Sequence, residues 1–184
     1  MNRKTKYPVL GLLPLIVVFW SASCFCEEIE VNINSVVIIS SPNQDAVHIL
    51  AKPDLGLPDT TLMIDRAILR ATILPQTQDT TTFISIRLHP ITTDWNPANV
   101  GWSAPWTNPG GDYDDINYGE FLVTGVGNQP VEMDITSLLM RWTDGRLPYY
   151  GFLIKISRSS LDQFTMVRNG NDPYATIDIR YTVY

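Results

Sequence analysis

The sequence predicts an all-β protein, an antiparallel β-sandwich of two sheets with one short helix. The first observation behind this prediction is a series of ten short strand-like segments, separated by turns rich in proline and glycine. The second is that no long segment repeats apolar residues at the 3.6-residue period of an amphipathic helix. Many short strands without long helices favour two packed sheets over an α/β arrangement.

The strands are identified by apolar side chains that alternate with polar ones. In the first strand, Ile29, Val31 and Ile33 share one face, and in the fifth, Ile84 and Ile86 face inward. Such alternation is typical of strands with one buried face and one solvated face. In chain order, the predicted strands cover residues 28–34, 36–39, 47–51, 67–74, 82–89, 121–126, 131–135, 151–157, 163–168 and 175–183.

The short helix is predicted over residues 136–142. Asp134 or Thr136 can cap its start, and Gly145 is placed to end it. Its apolar side chains recur at i, i+3, i+4 and i+7, as Ile135, Leu138, Leu139 and Trp142. This spacing puts Trp142 on the buried side of the helix, so we expect Trp142 to belong to the core.

Residues 1–26 are predicted to form an export signal. Three basic residues precede an apolar stretch over 9–20, which is shorter than the roughly 20 residues of a membrane span. Cleavage is expected after Ser23 or after Cys26, and no transmembrane span remains afterwards. The sequence before Cys24 also resembles a bacterial lipobox, so we expect either a secreted protein or one lipid-anchored to the envelope through Cys24.

Residues 27–184 are predicted to form a single domain, since a chain of this length buries a core of its own. Both cysteines lie in the cleavage region, so no disulfide is expected in the domain. The whole chain has 13 basic and 19 acidic residues, a formal net charge of −6, and no basic run follows Lys6. This charge distribution argues against a nucleic-acid partner, which needs a basic surface.

The most informative segment for function is 94–114, which places three of the five tryptophans among proline, glycine and asparagine. These breakers exclude a helix or a long strand, so we expect a loop held over a packed scaffold. Aromatic faces beside carboxylates suit sugar rings, which stack through C–H groups and hydrogen-bond through hydroxyls. The residues expected to form one exposed carbohydrate-binding patch are Trp102, Trp106, Tyr113, Tyr118 and Asp112. Alternatively, the tryptophans of the loop plug the end of the core, the role expected for Trp95.

The acidic part of this loop is also a candidate metal site. Asp112, Asp114, Asp115 and Asn117 offer four oxygen-bearing side chains within six residues. A calcium ion takes six to eight oxygen ligands, so backbone carbonyls and water would have to complete a structural calcium site. The alternative is a cluster of Asx turns, in which the carboxylates accept hydrogen bonds from nearby backbone N–H groups.

Catalysis is not predicted. The two histidines, His48 and His89, lie 41 residues apart on predicted strands, and no nucleophile elbow, zinc motif or phosphate loop is present. Asp94 and Asp112 could in principle form the carboxylate pair of a glycoside hydrolase, but nothing in the sequence favours this pair over another.

A series of short motifs follows one another along residues 47–184. They are 50–59, Ala67-Ile68-Leu69, Asp94-Trp95 with Val100-Gly101-Trp102, Pro109-Gly110-Gly111-Asp112-Tyr113-Asp114, Met133-Asp134-Ile135-Thr136 with Trp142, Tyr150-Gly151-Phe152-Leu153-Ile154, and Asp172-Pro173-Tyr174. The order of these motifs resembles that of DNRLRE-type domains, also grouped as carbohydrate-binding module family 96 and similar to disaggregatase-related domains, although the usual opening strand is not recognisable. The resemblance covers residues 47–184. It implies a jelly-roll-like, exported, non-catalytic domain that binds acidic polysaccharide such as alginate.

Together these observations predict an exported polysaccharide-binding module. The alternative is a structural or adhesive cell-surface protein that assembles with a protein partner through its aromatic patch.

Overall fold

A computed structural model describes residues 25–58, 61–76, 83–116, 118–124, 127–156 and 163–184. The predicted export signal up to Cys24, which includes the expected lipidation site, lies outside the described residues, as does the candidate metal ligand Asn117. Within these ranges, no helix is both long and apolar enough to cross a membrane.

The described residues form ten strands and one helix, which confirms the predicted all-β class. Each element overlaps the segment predicted for it. The bounds of β3 and β10 agree with the prediction, and those of the other elements differ at one end or at both. The elements are β1 (Phe25–Ile33), β2 (Val37–Ser40), β3 (Val47–Ala51), β4 (Leu62–Gln76), β5 (Phe83–Pro90), β6 (Gly119–Thr124), β7 (Gln129–Asp134), α1 (Thr136–Thr143), β8 (Phe152–Ile156), β9 (Gln163–Met166) and β10 (Ala175–Val183).

The strands form two antiparallel sheets that are not closed into a barrel. The first sheet has the order β1-β10-β4-β7, with β9 paired to the end of β4, and the second has the order β2-β3-β8-β5-β6. Without β2 and β9, four strands in each sheet remain, in the orders β1-β10-β4-β7 and β3-β8-β5-β6. This is the strand order of a jelly roll, in which the chain repeatedly crosses from one sheet to the other.

The main core is the apolar cluster between the two sheets. The predicted alternation of β5 is confirmed, because Ile84 and Ile86 are buried in this core whereas Phe83 is 65% exposed. In β10, Ile177 and Ile179 face the core in the same way. Burial of these inward faces is the principal force that holds the two sheets together.

Helix α1 closes one end of the main core. Its buried side chains include Leu138, Leu139 and Trp142, which confirms Trp142 as a core residue. The carboxylate of Asp134 accepts a hydrogen bond of 2.9 Å from the backbone N–H of Thr136 at the start of the helix. The hydroxyl of Thr136 in turn accepts a 2.9 Å bond from the backbone of Ala67, which ties the helix to β4.

Four strands begin earlier than the sequence predicts, β6 and β7 by two residues and β1 and β4 by more. β4 begins at Leu62 and contains a β-bulge. Asp65 is the extra residue of the bulge, between the pairs Arg66–Arg180 and Ile64–Tyr181. The bulge interrupts the alternation, so the segment before residue 67 does not look like a strand. β1 begins at Phe25, two residues before the predicted start of the domain. Cleavage after Ser23 would leave β1 whole, whereas cleavage after position 26 would remove its first two residues.

The second sheet buries apolar side chains on its outer face as well. In β8, Phe152 and Ile154 face the main core, whereas Leu153 between them faces outward and is equally buried. The chain between β5 and β6, residues 91–118, covers this face, and we call it the loop layer. With the sheet it encloses a second cluster, the outer core, made up of Ile39, Leu50, Ile91, Trp95, Trp106 and Leu153. The tryptophan-rich segment therefore forms a third layer.

Candidate functional site

Backbone hydrogen bonds attach the loop layer to the second sheet at the end of β5 and just before the start of β8. The N–H of Ile91 donates to the carbonyl of Gly151 at 3.0 Å, and the N–H of Asp114 donates to the carbonyl of Pro90 at 3.0 Å. The N–H of Thr92 donates to the carbonyl of Asp112 at 2.9 Å, which joins the two ends of the layer to each other. These bonds leave the middle of the layer to be positioned by side chains.

Trp95 and Trp106 anchor the middle of the layer in the outer core. Their indole N–H groups donate to backbone carbonyls, that of Trp95 to Tyr150 at 2.7 Å and that of Trp106 to Gly101 at 2.8 Å. The expected core role of Trp95 is thereby confirmed. The expectation that Trp106 lies in an exposed patch is wrong, because only 6% of it is exposed. Trp106 instead packs in the outer core, which is the alternative role that the sequence offers for the tryptophans of the loop.

Tyr118 is also buried, so the expectation of an exposed position is wrong for it too. It packs against the main core with an exposed fraction of 7%. Its hydroxyl receives a hydrogen bond from Arg141 of α1 and lies 3.4 Å from the carboxylate of Asp114. The Tyr118 side chain therefore joins the end of the loop layer to the helix and is not displayed to a ligand.

Trp102 and Tyr113 remain at the surface, each partly exposed, and His48 brings them together. The ring centroid of His48 lies 5.0 Å from that of Trp102 and 6.4 Å from that of Tyr113. Lys155, which pairs with His48 across β3 and β8, donates to the Tyr113 hydroxyl and places its ammonium 4.3 Å from the ring centroid. Two of the four predicted aromatic residues thus form one patch.

Both histidines hold the loop backbone to the sheet. Nδ1 of His48 lies 2.6 Å from the carbonyl oxygen of Gly110, and Nδ1 of His89 lies 3.0 Å from that of Asp114. Because a carbonyl only accepts, each Nδ1 must carry the proton. Burial lowers the pKa of His48 from 6.5 to about 4 and also lowers the pKa of His89, so both rings are neutral near pH 7.

Asp112 organises the turn that contains it. One of its carboxylate oxygens accepts from the N–H of Thr107 at 2.7 Å and from the hydroxyl of Thr93 at 3.0 Å, and the other accepts from the N–H of Asn108 at 2.9 Å. These bonds, led by that from Thr107, lower the pKa of Asp112 from 3.8 to about 2. Asp112 thus stabilises the turn beside the predicted patch, and its carboxylate has little capacity left to accept hydrogen bonds from a ligand.

The arrangement of the other acidic side chains favours Asx turns over the calcium site. One oxygen of Asp114 accepts from the N–H of Ile116 at 3.0 Å, as in an Asx turn, and Asp115 is exposed. In the part of the chain that the structure describes, no three acidic, histidine or cysteine side chains converge on a point where they could hold a metal.

Gly110 and Gly111 let the loop backbone lie against the sheet. Both have a positive φ, 94° and 115°, which favours glycine. A Cβ atom on Gly110 would lie 3.0 Å from the Trp102 ring and 3.1 Å from that of His48, and a Cβ on Gly111 would lie 3.0 Å from Leu153. Side chains at these positions would push the layer away from the sheet.

Two open clefts indent the loop layer, and most of the residues that line them were not among the sequence-predicted site residues. The threonine cleft, of about 600 Å³, is lined by Thr92, Thr93, Thr107, Asn108, Asp112 and Tyr113 among others. The proline cleft, of about 880 Å³, is lined by Lys52, Asp94, Asn96, Pro97, Asn99 and Pro105 among others. Only the concentration of threonine and asparagine in the segment could have indicated them from sequence.

Comparison of the chain with models of known protein families gives no match, and comparison with curated proteins gives none either. The resemblance to DNRLRE-type domains therefore stays a prediction that rests on the order of the motifs.

Proposed function

We propose that this protein is a non-catalytic polysaccharide-binding domain whose binding surface is the loop layer. The observation that carries the proposal is the threonine cleft, in which Tyr113 stands beside the side chains of Thr107 and Asn108. A tyrosine ring offers a face to the C–H groups of a sugar, and hydroxyl and amide groups match its hydroxyls as donors and acceptors.

The rigidity of the cleft supports this proposal. Its walls are fixed by Asp112, which bonds to Thr93, Thr107 and Asn108. Tyr113 is held by Lys155 and by ring contacts with His48 and with His89, whose centroid lies 5.0 Å from its own. A ligand that binds to groups already in place loses less free energy in ordering them than it would on a mobile loop. A layer with its own apolar core is a suitable support for such groups.

The state of the candidate catalytic carboxylates supports a non-catalytic role. Asp112 accepts several hydrogen bonds that lower its pKa to about 2, so it is not a proton donor near neutral pH. Asp94 forms an ion pair of 2.7 Å with Lys52, and that bond lowers the pKa of Asp94 too. A glycoside hydrolase needs one carboxyl group whose pKa is raised.

Export to the cell exterior fits this function and belongs to the same proposal. Structural and capsular polysaccharides lie outside the cell membrane, where the predicted signal over residues 1–26 would deliver the domain. The protein would then be free or held to the envelope through Cys24. Mass spectrometry of the exported protein would distinguish an unmodified start after Ser23 from a lipidated Cys24.

A matched pair of tyrosine substitutions tests the proposed function. Tyr113→Leu removes the aromatic face in the cleft but keeps apolar bulk against the histidines. The control is Tyr174→Leu, because Tyr174 is also half-buried beneath a cation, Arg168 at 5.5 Å, and lies outside the loop layer. In affinity electrophoresis against a polysaccharide panel, we expect Tyr113→Leu to lose retention and the control to keep it. Equal retention of both variants would contradict the assignment of the cleft.

The second candidate function, assembly with a protein partner, is favoured by the outer edge of β1, with which no strand of the described residues pairs. An open groove of about 520 Å³ runs along this edge. It is lined by residues 29–35 on one side and by residues 52–56 on the other. An exposed edge can accept an extended segment of another chain through backbone hydrogen bonds. Light scattering over a range of concentrations tests for self-assembly through this edge; a constant monomer mass would rule it out.

A further inference from the structure

The threonine cleft and the proline cleft share one wall. Thr93 lines the first cleft, and the next residue, Asp94, lines the second. In a second segment of the loop layer, Pro105 lines the proline cleft and Thr107 lines the threonine cleft. The clefts are therefore neighbours on one rigid layer, and a ligand that reaches over the wall contacts both.

The proline cleft has a composition that also suits a sugar unit. Pro97 and Pro105 present aliphatic surface, and Asn96 and Asn99 present amide groups beside it. Such a mixture matches the apolar face and the hydroxyl groups of a sugar ring, as the tyrosine and threonines do in the threonine cleft. Each volume lies within the range of about 300–1,000 Å³ that is usual for small-ligand sites.

The charges around both clefts disfavour an acidic ligand. Residues 91–118 contain four aspartates and no lysine or arginine. Of the two lysines beside the layer, Lys52 is paired with Asp94 at 2.7 Å, whereas Lys155 donates to the hydroxyl of Tyr113 and keeps its charge. Three aspartates therefore remain against one lysine. A surface with this excess of negative charge repels a polyanion. The acidic polysaccharide that the sequence resemblance implies is therefore a poor fit to this face.

We propose that the ligand is an uncharged polysaccharide and that one chain crosses the shared wall to occupy both clefts. This inference rests on the proposed function and adds to it the charge class of the ligand and the length that is recognised. Linking two weak subsites through one chain raises the overall affinity without any new contact at either subsite. Oligosaccharides that reach only one cleft should therefore bind much more weakly than the polymer.

The charge class is tested with the full chain in affinity gels that contain hydroxyethyl cellulose, glucomannan or dextran as neutral probes, and alginate or pectate as anionic probes. We expect retention in at least one neutral gel, little affected by salt, and none in the anionic gels. Salt-sensitive retention in the anionic gels alone would overturn the inference and leave the proposed function standing. Free migration in every gel would contradict the proposed function itself.

Occupation of both clefts is tested by Thr107→Ala in the threonine cleft, Asn99→Ala in the proline cleft, and the double variant. The side chains of Thr107 and Asn99 are both exposed. Asn171 is also exposed and lies outside the loop layer, so Asn171→Ala is the matched control. With the retained polymer, we expect each single substitution to weaken binding about fivefold and the double substitution about 25-fold. Unchanged binding by Asn99→Ala, with Thr107→Ala impaired, would confine the ligand to one cleft and overturn the two-cleft inference.

Discussion

The main core and the outer core differ in what encloses them. The main core lies between two hydrogen-bonded sheets, so many strands support it and each side chain is one of many contributors. The outer core has a sheet on one side only. On the other side lies an irregular loop, whose backbone is held by individual side chains such as His48, Trp95 and Asp112. We therefore expect the loop layer to be the less stable unit and to open while the sandwich stays folded.

The largest expected effects come from neighbouring residues of β8 that face the two cores. Ile154 is buried in the main core and Leu153 in the outer core, with exposed fractions of 1% and 0%. Ile154→Ala should lower the free energy of global unfolding by about 3–4 kcal/mol, because it leaves a cavity between the sheets. Leu153→Ala should lower the free energy of global unfolding by less, because the loop layer can open while the two sheets stay folded.

Hydrogen exchange checks this pair. In Leu153→Ala, we expect faster exchange confined to residues 91–118, whereas Ile154→Ala should raise exchange in both sheets. Equal global losses for the two variants, with uniform exchange, would mean that both cores unfold as one unit.

Acid should loosen the outer core before the main core. The pKa of His48 is about 4 in the folded protein and 6.5 when the chain is unfolded, so unfolding takes up a proton between these values. The free energy of unfolding is therefore highest above pH 6.5 and falls as the pH drops towards 4, by at most about 3 kcal/mol from His48. Burial of His89 acts in the same direction.

Tryptophan fluorescence between pH 7 and pH 4 checks the acid response, because Trp102 packs on His48. The matched variant is His48→Asn, whose amide can still donate to the Gly110 carbonyl but does not titrate. We expect its fluorescence to change less in this pH window than that of the unchanged protein, with His89 as the source of the remaining change. An identical pH profile in the variant and the unchanged protein would exclude His48 as the cause.

The sequence contains a sign that the loop covers the outer face of the second sheet. Residues 47–51 and 152–154 have few polar side chains, and such continuous apolar runs indicate strands that are buried on both faces. Leu50 and Leu153 could have shown that something must cover the outer face of the second sheet. The nearby tryptophans were the obvious cover, and Trp106 would then have been assigned to packing.

Other features could not be read from the sequence because they depend on distant contacts. The bulge at Asp65 is fixed by pairing with β10, which lies more than 100 residues further along the chain. The burial of Tyr118 depends on Arg141 of the helix. Trp102 and Tyr113 were predicted to lie together, and the patch exists, but His48, which joins them, was not predicted as part of it.

A more moderate effect is expected from Asp112→Asn. The amide replaces an oxygen that accepts charge-assisted hydrogen bonds from the loop backbone, so the loss should be about 2 kcal/mol and confined to the loop layer. The neighbouring exposed Asp115→Asn should change stability by less than about 0.5 kcal/mol. Thermal melts with and without chelator serve as the measurement. If chelator lowers the melting temperature of the unchanged protein, a bound cation and not the turn explains the role of Asp112.

The smallest expected effect distinguishes the tryptophans of the two cores. The indole N–H of Trp142 is buried in the main core without a hydrogen-bond partner among the described residues, whereas that of Trp95 donates to the carbonyl of Tyr150 at 2.7 Å. Replacement by phenylalanine removes the same volume and the same donor at both positions. At Trp95 it also leaves a carbonyl without its partner, whereas at Trp142 it removes a buried donor that was not satisfied. Trp95→Phe should therefore cost about 1 kcal/mol more than Trp142→Phe in denaturant unfolding. If Trp142→Phe proves the more costly substitution, the indole N–H of Trp142 has a hydrogen-bond partner in solution.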